Sequence, residues 1–294
     1  MDGLLMPAAA MALPLLFACL WRRVRAAGKR KASRLNPNFR KGPDGKWHLF
    51  LRGTGGLYHY MFGVLARLEE VSDAAFLRDH VILHTVSGSA FATGAWLSDQ
   101  ASVPHIYGVW CRRFEHLLGR RRFPLLYRLI EAHAEDYARA APPANQKIYV
   151  SRGCHSVGVF AQTREQYNKL LVASAYYPFL TGCDLHSAVP AHAEGYMDGS
   201  LSCTRHCPER EYWFDIVAYL DYRSVTVLSR AYWKICGFFV ARAAHLYERG
   251  YRDAELVLPV LRDAGFVLNE TKSAFRLRPL DEDEDESVMN PLNL

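Results

Sequence analysis

His80-Val81-Ile82-Leu83-His84-Thr85-Val86-Ser87-Gly88-Ser89-Ala90-Phe91-Ala92-Thr93-Gly94-Ala95 is the stretch whose reading decides the fold. Its first half is a short apolar and β-branched run bounded by turn residues, the pattern of a buried strand. Its second half consists mostly of small residues that can turn tightly and then pack closely as a helix. A strand that hands over to such a helix belongs to an α/β sheet. It places Ser89 on the elbow, above the sheet and near the positive end of the helix dipole. Serine is also a favoured helix N-cap, so the same residues read as an ordinary Ser/Gly capping loop too.

Moving toward the N-terminus, Trp47-His48-Leu49-Phe50-Leu51 is another strand-like run, followed by Arg52-Gly53-Thr54-Gly55-Gly56 and then an apolar helix pattern on Leu57, Met61, Val64, Leu65 and Leu68. Backbone amides in a glycine turn of this kind can converge on an anion, whether a phosphate or the oxyanion of acyl transfer. The pattern G-x-x-x-x-G-K-[ST] is absent, which excludes a P-loop. Toward the C-terminus, strand-like runs at Lys147–Ser151, Val157–Ala161 and Val225–Ser229 alternate with helical stretches, as an α/β sandwich requires. Thr163-Arg164-Glu165-Gln166 reads as a capping box for a helix running to Ser174. Tyr196-Met197-Asp198-Gly199-Ser200 holds an Asp-Gly pair, which is either a plain turn or the acid partner of the serine.

Several of these stretches together resemble the patatin-like phospholipases, in the branch of adiponutrin and triglyceride lipase. Phe50-Leu51 leading through Gly53 and Gly56 to Leu57-Tyr58-His59 and Gly63-Val64 is similar to that family's first strand, oxyanion loop and following helix. Val86 to Ala95 resembles its serine elbow, with Ser89 on the nucleophile. Leu170 to Gly182 is similar to its helix-to-proline stretch, Gly195 to Gly199 to its aspartate motif, and Ser224 to Val227 to the strand after it. Arg249-Gly250-Tyr251-Arg252-Asp253-Ala254 resembles a segment of this branch.

The resemblance implies an α/β fold, a patatin-like three-layer α/β/α sandwich around a central, mostly parallel sheet. It implies a Ser-Asp dyad in which Asp198 takes the proton of Ser89, with Gly53, Thr54, Gly55 and Gly56 as the oxyanion loop. The substrate it implies is the acyl ester of a glycerolipid, with no metal and no organic cofactor, and it leaves open a protein coactivator. The family elbow is G-x-S-x-G, and in this register Ser87 and Phe91 replace its two glycines. Leu51 and Arg52 likewise stand where relatives carry glycine. These departures support an alternative of another class, a degenerate relative that binds lipid or a partner without catalysis. Phe91 is in that register a candidate contact for acyl chains, and a one-residue shift would put Ala90 at the nucleophile.

Two other arrangements are open. Ser89, Asp198 and then His206 or His245 follow the chain order of an α/β-hydrolase triad. Cys203, His206 and Cys207 resemble part of a zinc cluster, although no second ligand pair follows at suitable spacing.

Composition bounds the rest. In 294 residues, 50% hydrophobic and 13% aromatic, there is material for one sizeable core. Residues 1–43 read as a hydrophobic anchor with a basic linker, 44–278 as the hydrolase-like domain, and 279–294 as an acidic disordered tail. Leu4 to Trp21 carries no charge and is followed by Arg22, Arg23, Arg25, Lys29, Arg30, Lys31 and Arg34. That length is near the minimum for a membrane span, and the basic flank places the domain on the cytosolic face. Pro7 and Pro14 also fit a segment lying on the surface, and a buried first helix is the third reading. Asp2 is not the basic start of a signal peptide. Much of the net charge of +6 lies in this tract, where it would attract a membrane or lipid-droplet surface. No aromatic platform or nucleic-acid module accompanies it, so nucleic acid is not an expected partner. Seven cysteines without a regular framework fit free thiols in a reducing compartment.

Overall fold

The computed structural model describes residues 39–97, 102–119, 142–152, 155–176, 197–201, 207–237, 240 and 242–269. The hydrophobic segment at 4–21, the basic tract, Arg120 to Arg122, Cys203, His206 and the acidic run at 281–286 lie outside the described residues, as do 177–196. Among the described residues no helix is long and apolar enough to cross a membrane.

The protein is an α/β fold built on a mixed, six-stranded sheet. In chain order the elements are β1 (Trp47–Leu51), a 3₁₀ turn (Gly55–Leu57), α1 (Tyr58–Val71), α2 (Ala74–His80), β2 (Val81–Val86), α3 (Gly88–Trp96) and α4 (Val103–Gly119). There follow β3 (Gln146–Arg152), β4 (His155–Phe160), α5 (Arg164–Ala175), β5 (Met197–Asp198), β6 (Phe214–Asp215), α6 (Ile216–Leu220), α7 (Val227–Cys236), α8 (Ala244–Asp253) and α9 (Leu258–Asp263). The strand order is β4-β3-β2-β1-β6. β6, β1, β2 and β3 run parallel, and β4 returns antiparallel along β3. Short β5 pairs antiparallel with the far end of β3, at Val150 and Ser151.

Alternation along the strands sorts side chains to two faces. Leu49, Leu51, Leu83, Ile148 and Val150 point into the main core, with α1, α3, α4, α5 and α8. Phe50, Val86, Tyr149 and Trp213 form a smaller aromatic cluster on the other face. There the rings of Phe50 and Trp213 stack 4.1 Å apart. A buried polar chain borders this cluster: His48 Nδ1 lies 2.7 Å from His84 Nε2, and His84 Nδ1 lies 3.1 Å from the Tyr149 hydroxyl. Burial, followed by the charges of His48 and Lys147, holds His84 well below the ordinary imidazole range, so it stays neutral.

Local signals account for several boundaries. The Thr163 hydroxyl accepts from the Gln166 amide at 3.1 Å, and Gln166 Oε1 reaches back to the Gln162 amide at 2.7 Å, so the capping box forms with its return bond one residue early. The strand expected at Val225–Ser229 is instead the start of a helix. Thr226 caps α7 by accepting from the Ser229 amide, and Val225 is buried beneath the turn rather than paired in the sheet. The strand beside β1 is Phe214–Asp215, whose two residues are too few to show a period in the sequence.

Helices α1 and α8 touch backbone to backbone. A Cβ on Gly63 would stand 2.0 Å from the Tyr247 carbonyl oxygen, and one on Gly250 would stand 1.9 Å from that of Tyr60. Both glycines are therefore demanded by the close approach itself, which explains the Arg249-Gly250-Tyr251 segment without assigning it chemistry. Beside this contact the Asp253 carboxylate accepts from the Tyr60 hydroxyl at 2.5 Å and from the hydroxyl of Ser224 at 2.8 Å. Gly250→Ala is expected to cost about 3 kcal/mol by overpacking, at the upper end for inserted methyls, read as a lowered midpoint in urea unfolding with an unchanged slope.

Candidate active site

β2 ends at Val86, opposite Tyr149 of β3. The position next along β3, Val150, is paired not with a continuation of β2 but with Asp198 of β5. The chain of β2 must therefore turn out of the sheet at Ser87, and Asp198 occupies the place in the sheet that the turn leaves. Ser87 has φ 59°, in the left-handed region that a non-glycine side chain adopts at a cost of about 1–2 kcal/mol. Its hydroxyl donates to Asp198 Oδ2 at 2.6 Å. Strain of this kind gathers at functional sites, where the surrounding structure holds it in place.

The aspartate is held from every side. Its amide donates to the Tyr176 carbonyl at 2.9 Å, its carbonyl accepts from the Ser151 hydroxyl at 2.6 Å, and Oδ1 accepts from the Ser200 amide at 2.7 Å. Gly199 permits this packing, since a Cβ there would stand 2.3 Å from the Tyr149 carbonyl oxygen. Asp198 is 3% exposed. Burial pushes its carboxyl up to about 6, against the hydrogen bonds from Ser87 and Ser200 that favour the ionised form.

Ser89, expected as the nucleophile, is not brought to Asp198. It lies inside α3, fully buried, with its hydroxyl 2.6 Å from the Leu51 carbonyl oxygen and 2.7 Å from that of Val86, and it accepts from the Val86 amide at 3.0 Å. The helix turn carries Ser89 down toward the sheet, where it ties the end of β1 to the end of β2. The residue on the strand-to-helix turn is thus Ser87, two residues before Ser89, and the positions two on either side of it are Thr85 and Ser89. Phe91 belongs to the core, with its ring 6.3 Å from that of Trp110. In the sequence Ser87 is marked only as the residue after the buried run; the pairing of Asp198 with Val150 decides that it, and not Ser89, meets the carboxylate.

The expected oxyanion loop divides in its roles. Gly53 faces the elbow: a Cβ there would stand 3.1 Å from that of Ser87 and 3.5 Å from that of Ser200. Thr54 lies against Gly88, the residue after Ser87. Gly55 turns the chain at φ 57°. Gly56 faces away from the serine, packed so tightly on α7 that a Cβ would stand 2.3 Å from the Trp233 carbonyl oxygen. Arg52 points outward to an ion pair with Asp215.

His245 packs against the Trp233 ring, 5.0 Å between centroids, and His206 lies outside the described residues. Among the described residues, the groups hydrogen-bonded to the Asp198 side chain are Ser87 and Ser200. Cys207 sits beside the Phe50 and Tyr149 cluster. Among the described residues no three His, Cys, Asp or Glu side chains gather as a metal site.

The arrangement can pass a proton from Ser87 to Asp198 and present the resulting nucleophile above the sheet. Ser87→Ala is expected to abolish labelling by a fluorophosphonate probe. Ser89→Ala is expected to keep labelling while lowering the unfolding midpoint, because it breaks a buried tie and leaves acceptors unpaired. In-gel fluorescence and thermal melts read the two outcomes. Labelling lost in Ser89→Ala and kept in Ser87→Ala would restore the later register.

No protein-family model, curated protein or solved structure matches this chain.

Proposed function

We propose that the protein is a lipid acyl hydrolase of the patatin-like type, cleaving a fatty-acyl ester of a glycerolipid through a Ser87-Asp198 dyad. The single observation that carries this reading is the 2.6 Å hydrogen bond from a serine held at φ 59° on a strand-to-helix elbow to a buried carboxylate. A serine hydroxyl needs an adjacent base to attack at neutral pH, and Asp198 is that base. In the first step the Ser87 Oγ bonds to the ester carbonyl carbon. Its proton passes to Asp198 Oδ2 and the carbonyl electron pair moves onto the oxygen. Collapse of this intermediate breaks the ester C–O bond, and the departing alcohol takes the proton back from Asp198. Water, deprotonated by the same carboxylate, then attacks the acyl-enzyme and releases the fatty acid, leaving Ser87 protonated again.

Two features favour hydrolysis over a degenerate binding role. The loss of the second elbow glycine is accommodated, since the Ser89 hydroxyl has partners on both strands. Phe91, one of the departures that motivate the degenerate reading, lies in the core rather than on the turn. The three-layer form of the sandwich, the membrane or lipid-droplet surface as the site of action, and a cytosol-facing domain belong to the same proposal. They are supported by the order of the family-like stretches and by the hydrophobic segment with its basic flank.

The base acts only when ionised. Burial raises its pKa to about 6, so activity rises with pH through that value and levels off above it. The same shift acts oppositely on stability: the folded carboxyl holds its proton more tightly than the unfolded one, so this contribution is present at low pH and fades as pH rises through about 6. Asp198→Asn is therefore expected to lose at least about 10³-fold in kcat, with no loss of melting temperature at pH 7.5. Fatty-acid release from mixed phospholipid and triacylglycerol vesicles, measured from pH 4.5 to 8.5, checks both statements. A folded wild-type protein releasing no more than Ser87→Ala would sink the hydrolase reading.

A further inference from the structure

Thr54 carries a hydroxyl that the fold buries and leaves without a partner. The residue is 1% exposed, and Oγ1 meets no hydrogen-bond partner among the described residues. It stands at the N-cap of the 3₁₀ turn, where a threonine ordinarily accepts from the backbone, yet it makes no such bond. Buried polar groups are paired in folded proteins as a rule, and an orphan calls for a reason.

Its surroundings supply one. Oγ1 lies 3.5 Å from the place where a Cβ on Gly88 would stand, while a Cβ on Gly53 would stand 3.1 Å from that of Ser87. Successive loop residues thus face successive elbow residues. Gly88 opens α3, a helix of nine residues, and the amides of a first turn have no acceptor within the helix. A buried hydroxyl thus lies beside the N-terminus of α3, one residue along from the candidate nucleophile.

We propose that the Thr54 hydroxyl is a side-chain donor to the oxyanion, working beside the amide of Gly88. The inference rests on the Ser87-Asp198 reading. When Ser87 Oγ bonds to the carbonyl carbon and its proton passes to Asp198, the former π pair leaves a negative oxygen. The Thr54 O–H rotates about a single bond to meet it and keeps its own proton throughout. The branched Cβ restricts the side-chain rotamer, so the donor is already in position before charge develops. A contact made with the charged oxygen rather than the neutral ester lowers the barrier without tightening substrate binding.

The test uses the full chain and p-nitrophenyl butyrate, a soluble ester whose turnover does not depend on a lipid surface. Thr54→Val keeps the shape and removes the hydroxyl; Thr54→Ser keeps the hydroxyl. The valine variant is expected to lose about 10²-fold in kcat with KM little changed. Its affinity for a butyl trifluoromethyl ketone, which adds to the serine and forms the same oxyanion, is expected to fall by the same factor. The serine variant is expected to retain most of both. A valine variant with wild-type kcat and ketone affinity overturns the assignment, as does a serine variant as impaired as valine, which would make the effect one of packing. If folded wild type neither turns over the ester nor takes up a fluorophosphonate, the dyad reading falls and this inference falls with it.

Discussion

The end of β2 at Val86 is the constraint on which the site depends. A parallel strand that continued one residue further would pair with Val150 and keep Ser87 in the sheet. Asp198 takes that pairing instead, by way of a strand only two residues long. One hydrogen-bonded slot on β3 therefore does two things: it ejects the chain at Ser87 into a left-handed turn, and it delivers a carboxylate to the side chain so displaced. The Ser87 hydroxyl and the Asp198 carboxylate are positioned by backbone pairing, which is less yielding than a contact between two flexible side chains.

The rest of the core serves that geometry. Ser89, buried under the first turn of α3, joins the carbonyl of Leu51 to the end of β2, and so holds the loop that begins at Arg52 in register with the elbow. Gly56 seats the far side of the same loop on α7, and Gly63 seats α1 on α8. Each glycine acts by absence: the missing Cβ lets two backbones approach to a distance no other residue permits. In the proposed reaction, rigidity in the loop matters because donors aimed at an oxyanion act through their fixed placement before charge appears.

The ionisation of Asp198 links stability to chemistry. Burial that excludes water from the carboxylate also raises its pKa, so the ionised form, which the proposed reaction needs, is the form the fold tolerates less well. The aromatic cluster and the hydrogen-bonded His48–His84 pair on the other face carry no part of this site. They fill the space under Trp213 and hold β1, β2 and β3 together by polar contacts that cross the strands.

Much of this was legible in the residues. The buried strand at Val81–Val86, the glycine turn after β1, the capping box at Thr163 and the α/β class all follow from local patterns, because β-branched runs, glycine and capping side chains act within a few residues of themselves. The aspartate was legible as a motif. What a linear reading missed was which of two serines turns toward it. Ser87 and Ser89 differ by half a turn of helix, and only the pairing of Asp198 with Val150 fixes where the strand stops and which hydroxyl is left outside the sheet. The helix at Val227 and the strand at Phe214 were missed for a related reason: a threonine cap overrode a β-branched run, and a two-residue strand exists only because Leu49 and Phe50 are there to pair with it. Local chemistry thus determined the elements and the residue types of the site. Their assembly was decided by contacts between segments more than a hundred residues apart, which no sequence window contains.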